Sequence, residues 1–512
     1  MRKSFLKIIN FPWYFVAFAA YPVLALLSSN LDVFGYIVVF RPLVISIYIA
    51  VILFLILTLI YRNWHKAAFA ISALTILFYT YGYVIDQVSE KWDTPHLAAW
   101  MLGLWLALVI LVLILAALRK VKFIKAAFAL NLISLCMVII VVFQIVSGSV
   151  LPPTKGPAAE FAPTQPMHVQ EGQTPPDIYY IILDSYARAD LLEQTYHYDN
   201  SEFIRLLEGM GFYVAGCSQS NYGRTDISIA SSLNMDYLQN LDSSFNPENI
   251  NRDTLWASIL HSAVRANLES AGYKTVAFAT GYSWTEMKDA DVFLSPSPLW
   301  SGITEFETWL IHTTPLRHLE GTSLLDLDQI DGEHYRERTQ LILDSMVELA
   351  HMPDPKFVFI HIVPPHPPFI FGPDGSWTNP ADFLDENLEY SPEDYSRGIL
   401  NEVKFINTQI IKALATLLLQ SSHPPVIILQ GDHAPWFHSN SDEKKILNAY
   451  YLPGHTDLLY PTISPVNSFR LVLNTYLGAD FSLLDDRSYN SNIPDIYTFD
   501  EVMNPCAPTP SR

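Results

Sequence analysis

The sequence predicts an α-helical membrane domain of five spans, followed by an extracytoplasmic α/β domain whose mainly parallel sheet is covered by helices on both faces. Three observations predict it. Apolar runs of near-membrane length crowd the first 150 residues, the charge balance changes sign along the chain, and short β-rich runs alternate with helical periodicity in the remainder. With 512 residues, 50% hydrophobic and only 16% charged, the chain is too apolar for a single water-soluble body.

The spans come first. Apolar runs near 11–28, 42–61, 67–86, 97–118 and 126–147 each approach the roughly 20 residues that a helix needs to cross a bilayer. The first also has the length of a signal segment; the four that follow keep the class unchanged. Arg2, Lys3 and Lys7 precede the first run, Arg62 and Lys66 follow the second, and Arg119, Lys120, Lys122 and Lys125 follow the fourth, whereas the alternate loops hold only Arg41 and Lys91. Lys and Arg stay on the cytoplasmic side. An odd number of spans from a cytoplasmic N-terminus therefore delivers everything after residue 147 to the outer face of a plasma or inner membrane.

The transmembrane domain is thus expected over 1–147, a Pro-rich extended linker over 148–176, and the outer domain over 177–512. Before residue 150 there are eleven Lys and Arg against four acids, and after it 20 against 47. So acidic an outer part argues against nucleic acid and against docking on anionic lipid. It also suggests a metal that neutralises part of a site. Cys136 falls in the fifth span, and Cys217 and Cys506 fall outside the membrane, where they can pair or stay free.

Within the outer domain, strands are expected at 178–184, 273–280, 356–362 and 425–432. Ile399, Leu400, Val403, Ile406, Ile410, Ile411, Leu414 and Leu418 recur at helical spacing between the last two. Two strands run into a carboxylate, Asp184 and Asp432, and His433 follows the second. Sites in open α/β sheets form at the carboxyl ends of strands. Either Asp alone reads equally as a cap of the next turn, but the two with a neighbouring imidazole are a donor set for a divalent metal, Zn²⁺ or Mn²⁺ rather than Mg²⁺ or Ca²⁺.

The ordered stretches ILDSYARAD, SNYGRTDISIASSLNM, HIVPPHPPF and LQGDHAPWF, following five spans, resemble the alkaline phosphatase and sulfatase superfamily. The nearest architecture is the membrane-anchored branch that includes lipoteichoic acid synthase and phosphoethanolamine transferase. The resemblance covers about 177–455 and implies a metal held by Asp184, Thr225, Asp432 and His433, with Thr225 as nucleophile. Chemistry agrees, since a hydroxyl attacks near neutral pH only when its pKa is lowered, and a helix start adds donors and positive potential. Ser228, Ser231 and Ser232 compete as ordinary packing hydroxyls or as the reacting group. His366 is implied as a binder of substrate phosphate or a second metal. From its position five residues after His433, His438 is a further candidate phosphate contact, and Arg224 reads equally as a phosphate clamp or as a solvated surface arginine. Arg188 is another candidate clamp, and His361, inside a strand, reads as a buried hydrogen-bonded imidazole.

The implied activity is transfer of a lipid headgroup phosphate, of phosphoglycerol or phosphoethanolamine type, through a phospho-threonine to a cell-envelope acceptor. The donor would be a membrane lipid and the acceptor a glycan or lipid. Two alternatives stand beside it: a tethered sulfatase or phosphodiesterase, and an envelope binding protein without catalysis. The C/S-x-P-x-R context that sulfatases convert to formylglycine is absent around Cys217, and Ser185 rather than a second acid follows Asp184.

Overall fold

A computed structural model describes residues 11–31, 36–89, 91–92, 94, 96–118, 124–150, 167, 174–249, 251–296, 303–319, 327–352, 355–379, 382, 389–435, 442–491 and 496–506. It divides into two compact units, one of residues 1–154 with 297–334 and the other of 155–296 with 335–512. Most of the expected linker lies outside the described residues.

The first unit contains helices α1 (Tyr14–Ser28), α2 (Phe40–Tyr61), α3 (Trp64–Ser89), α4 (Leu97–Ala117) and α5 (Ile124–Val150). Among the described residues, four helices are long and apolar enough to cross a membrane. The fifth expected span, α1, has 15 residues and contains Pro22, so it rises about 22 Å against a hydrocarbon core of roughly 30 Å. Residues 303–319, which belong in sequence to the outer domain, pack into this unit, where Phe306 and Leu310 share an apolar cluster with Val23, Leu27 and Val39. Arg41 pairs with Glu307, its Nε 2.7 Å from Oε1, and Arg317 pairs with Asp86 at 2.8 Å. Gly82 permits the approach, since its N–H donates to the Thr313 carbonyl at 2.9 Å and a Cβ there would meet the His312 carbonyl oxygen. All these contacts lie at the helix ends opposite to Arg62 and Lys66.

The second unit is built on β1 (Ile178–Leu183), followed by α6 (Ala189–Tyr196), α7 (Ser201–Gly209), β2 (Tyr213–Val214), α8 (Thr225–Asn234), α9 (Leu238–Leu241), α10 (Asp253–Leu260) and α11 (Ala263–Ser270). Strands β3 (Lys274–Phe278) and β4 (Val292–Leu294) follow, and α12 (Glu305–His312) belongs to the first unit. After α13 (Leu327–Leu349) come β5 (Lys356–Ile362), α14 (Pro392–Gln420), β6 (Val426–Gly431), β7 (Asn448–Tyr451), α15 (Pro465–Leu477), β8 (Ser488–Ser491) and β9 (Phe499–Val502). Seven strands form one sheet in the order β2-β7-β6-β1-β5-β3-β4, and β8 pairs with β9. The expected mainly parallel sheet is mixed: β6, β1, β5, β3 and β4 run parallel, while β7 is antiparallel to β6 and β2 to β7.

Strand β1 lies in the middle, every residue fully buried, which is why its sequence is a continuous apolar run rather than an alternating one. Tyr179, Ile181 and Leu183 face a core built with α6, α7, α13 and α14. Ile178, Tyr180 and Ile182 face one built with α8, α10, α11 and α15. Each such buried aliphatic side chain contributes about 1.5–3 kcal/mol, so β1 is held from both sides and its carboxyl end is fixed in space. Cys217 and Cys506 form a disulfide that spans 289 residues of sequence, and Cys136 is free and exposed.

Helix α14 grips the chain after β5. Phe371 stacks on Phe405 at 4.1 Å between ring centroids, and Glu402 Oε1 accepts from the Ile370 and Phe371 N–H groups at 2.8 and 3.2 Å. A Cβ at Gly398 would lie 2.1 Å from Cδ2 of the buried Phe369. Gly398→Ala therefore sets a helix-propensity gain of about 1 kcal/mol against overpacking of about 1–3 kcal/mol or more, and overpacking wins. Thermal unfolding of the full-length protein should show a lower midpoint; a raised one would contradict this packing.

Candidate active site

Asp184 is the first residue beyond β1, and its N–H donates to the Ile362 carbonyl at 2.9 Å. Asp432 and His433 follow β6, the parallel neighbour of β1. The two strand ends thus place the pair beside Asp184. Donor atoms of Asp184, Asp432 and His433 all lie within 4.8 Å of one another, and all three residues are buried. Ser185 sits at φ 61°, a left-handed conformation uncommon outside glycine and concentrated at functional sites, and its N–H donates to Asp432 Oδ1 at 3.0 Å. Asp432 is anchored through one oxygen. The other, Oδ2, is buried with no hydrogen-bond partner among the described residues.

His433 Nδ1 lies 2.8 Å from the Ala434 carbonyl, so Nδ1 carries a proton and donates it. Nε2 then faces Thr225 Oγ1 at 3.1 Å, Asp184 Oδ1 at 3.5 Å and Asp432 Oδ2 at 3.6 Å. Two carboxylates whose oxygens lie within 4.8 Å of one another repel by roughly 3 kcal/mol or more at an effective dielectric constant of about 20. An orphaned buried carboxylate oxygen and an imidazole nitrogen converging on a second carboxylate are what a bound cation requires, so the residues fit a divalent metal. Burial by itself raises the Asp184 carboxyl, but the imidazoles of His366, His361 and His433 hold it down to about 2. Burial and the neighbouring Asp184 push Asp432 up. The His433 imidazole is raised despite burial, because both carboxylates favour its charged form.

The hydroxyls of the 220–235 stretch separate by position. Thr225 opens α8, after Arg224 in extended conformation, and is the hydroxyl of this helix that reaches His433. Ser228 Oγ donates to the Asp432 carbonyl at 2.7 Å, Ser231 Oγ to the Asp236 carbonyl at 2.7 Å, and Ser232 Oγ bonds Tyr180 Oη at 2.7 Å. These three serines are spent on packing.

His366 lies in the Pro-rich loop after β5, its ring 6.3 Å from that of His433. Its Nδ1 lies 2.7 Å from the Pro367 carbonyl, and its own carbonyl accepts from Tyr335 Oη at 3.2 Å. Arg224 leans towards Asp226, Nε to Oδ1 3.7 Å, and Asp226 also meets Arg252 at 3.3 Å. Arg188, the other candidate clamp, pairs with Asp190 at 2.6 Å and donates to the Ser218 carbonyl at 2.8 Å. His438 lies outside the described residues. His361 is buried as expected, and its Nε2 lies 3.1 Å from Asp184 Oδ2, a partnership that no local sequence pattern signals. Ser185 also anchors the site, and nothing in its sequence neighbours marks the left-handed conformation.

No family model matches the chain, and no curated protein matches it. Solved structures do. The integral membrane lipooligosaccharide phosphoethanolamine transferase A (EptA) from Neisseria meningitidis is 13% identical, with 92% of this chain and 95% of that chain covered and a TM-score of 0.39. The C-terminal periplasmic domain of EcEptC from Escherichia coli, in complex with Zn, is 12% identical over 62% of this chain and 87% of that chain, TM-score 0.37. BT1596, a 2-O GAG sulfatase, is 12% identical over 60% and 72%, TM-score 0.38.

Proposed function

We propose that the protein is a membrane-bound, metal-dependent phosphoryl-group transferase that moves a lipid headgroup phosphate, phosphoglycerol or phosphoethanolamine in type, to a glycan or lipid acceptor of the cell envelope. The observation that carries this reading is the buried cluster of Asp184, Asp432 and His433, with His433 Nε2 3.1 Å from the Thr225 hydroxyl at the start of α8. A divalent metal, zinc or manganese, held by these four residues would lower the hydroxyl pKa and offset the charge of the phosphate. Thr225 Oγ1, giving up its proton, attacks phosphorus, the bond to the diacylglycerol oxygen breaks, diacylglycerol leaves as the protonated alcohol, and a phospho-threonine that still carries the ethanolamine or glycerol headgroup remains. An acceptor hydroxyl then attacks the same phosphorus and Thr225 leaves. The amides of the first turn of α8 offer donors to the phosphate oxygens, His366 supplies an imidazole beside them, and Arg224 and His438 complete the phosphate contacts. The loop charges, together with 303–319 packing at the helix ends away from Arg62 and Lys66, support an outer-face location for the site.

Purified full-length protein with zinc or manganese should release diacylglycerol from phosphatidylethanolamine or phosphatidylglycerol, and should leave aryl sulfates intact. Turnover of the sulfate ester with neither lipid consumed would replace this reading with that of a sulfatase. Release of free headgroup regardless of any glycan added would make the protein a hydrolase.

A further inference from the structure

We propose that His361 is a positioning residue for metal binding, one that fixes the plane of the Asp184 carboxylate by donating from Nε2 to Oδ2. The proposal rests on the reading of Asp184 as a metal ligand. In β5, Phe357 and Phe359 occupy the same face as His361 and pack into the core on the α8 side, while His361, the next residue of that row, is wholly buried. Register explains its partner. His361 pairs with Ile182, two residues before Asp184 on the same face, so the imidazole lies diagonally beside the carboxylate, Nε2 to Oδ2 3.1 Å.

A buried imidazole costs free energy unless its nitrogens are engaged, and here both are. Thr285 Oγ1, itself buried, lies 3.4 Å from Nδ1 and 2.8 Å from Thr280 Oγ1. An ionised carboxylate only accepts, so the contact with Asp184 itself requires the proton on Nε2, while Thr285 Oγ1, which also lies 3.1 Å from the Tyr282 carbonyl, engages Nδ1. Tyr282 and Trp284 flank the ring, at 6.1 and 6.2 Å between centroids, and oppose its tilting. The consequence is at the other oxygen. The last torsion of an Asp side chain is broad, and tying Oδ2 leaves Oδ1 towards His433 Nε2 at 3.5 Å, beside the orphaned Asp432 Oδ2. Partners of this kind, one bond removed from a metal, typically contribute 10- to 100-fold in affinity.

Zn²⁺ affinity is to be measured on full-length protein in detergent by competition with a chelating dye, together with the unfolding midpoint of the metal-free protein. His361→Phe should bind Zn²⁺ about 10- to 100-fold more weakly. His361→Gln, whose amide can still donate to Oδ2, should recover most of that loss, and Thr285→Val should weaken binding by a smaller factor. Asp184→Asn serves as the reference. If it binds Zn²⁺ as tightly as the parent, the metal site itself is misassigned and the proposal falls with it. If it loses Zn²⁺ while His361→Phe binds normally, or while His361→Gln is no better than His361→Phe, only the role of His361 is overturned. Should His361→Phe fail to give a cooperative metal-free unfolding transition, Thr285→Val decides, unchanged affinity overturning the proposal.

Discussion

Thr225→Ala is expected to abolish turnover, on the order of 10⁴-fold or more by analogy with loss of a nucleophile elsewhere, while the α/β unit stays folded. The hydroxyl's described contact is His433 Nε2, and Arg224, not Thr225, occupies the cap position of α8. The stability cost should therefore stay within about 1 kcal/mol. Ser228→Ala makes the contrast. Its hydroxyl holds the carbonyl of Asp432, so about 1 kcal/mol of stability and part of the activity should be lost, with turnover retained. Steady-state rates on a lipid phosphodiester, read beside thermal unfolding, separate the two. Equal loss in both variants would mean that α8 acts through its packing.

The second large effect is on the metal. Asp432→Asn keeps an oxygen for the Ser185 N–H but removes the charge at the orphaned position, so Zn²⁺ affinity should fall by about 100-fold or more. The stability of the metal-free protein should move the other way. Two buried carboxylates repel when no cation lies between them, and neutralising one relieves that repulsion. Wild-type protein should lose several degrees of unfolding midpoint on chelation, since a ligand at 100 times its Kd contributes about 2.7 kcal/mol. Asp432→Asn should unfold at the same temperature with and without chelator, and above the chelated wild type. A chelator-insensitive wild type would count against a metal at this site.

Much of the scaffold was legible because it depends on local apolar pattern. The runs at 178–184, 273–280, 356–362 and 425–432 became the central strands β1, β3, β5 and β6, and the helical spacing from Ile399 to Leu418 became part of α14. Edge elements were not legible, because β2 has two residues and β7 four, too few to show a period. The antiparallel rim of the sheet therefore went unforeseen. The 303–319 segment carries no composition that distinguishes a helix of the outer domain from one packed among apolar membrane helices. At the site, Asp184, Asp432 and His433 could be read from where strands end. His361 and Ser185 could not, since the partner of the first is set by strand register and the conformation of the second by a tight turn.

The central claim is that Thr225 becomes covalently phosphorylated during turnover. Its most direct test is to mix purified full-length protein with a lipid phosphodiester donor and no acceptor, quench within a turnover, and map phosphate on proteolytic peptides. Headgroup phosphate, phosphoethanolamine or phosphoglycerol, on Thr225, formed with diacylglycerol in equal amount and absent from Thr225→Ala, is the predicted result. Diacylglycerol release at an unchanged rate by Thr225→Ala, with no phosphate on any peptide, would contradict it.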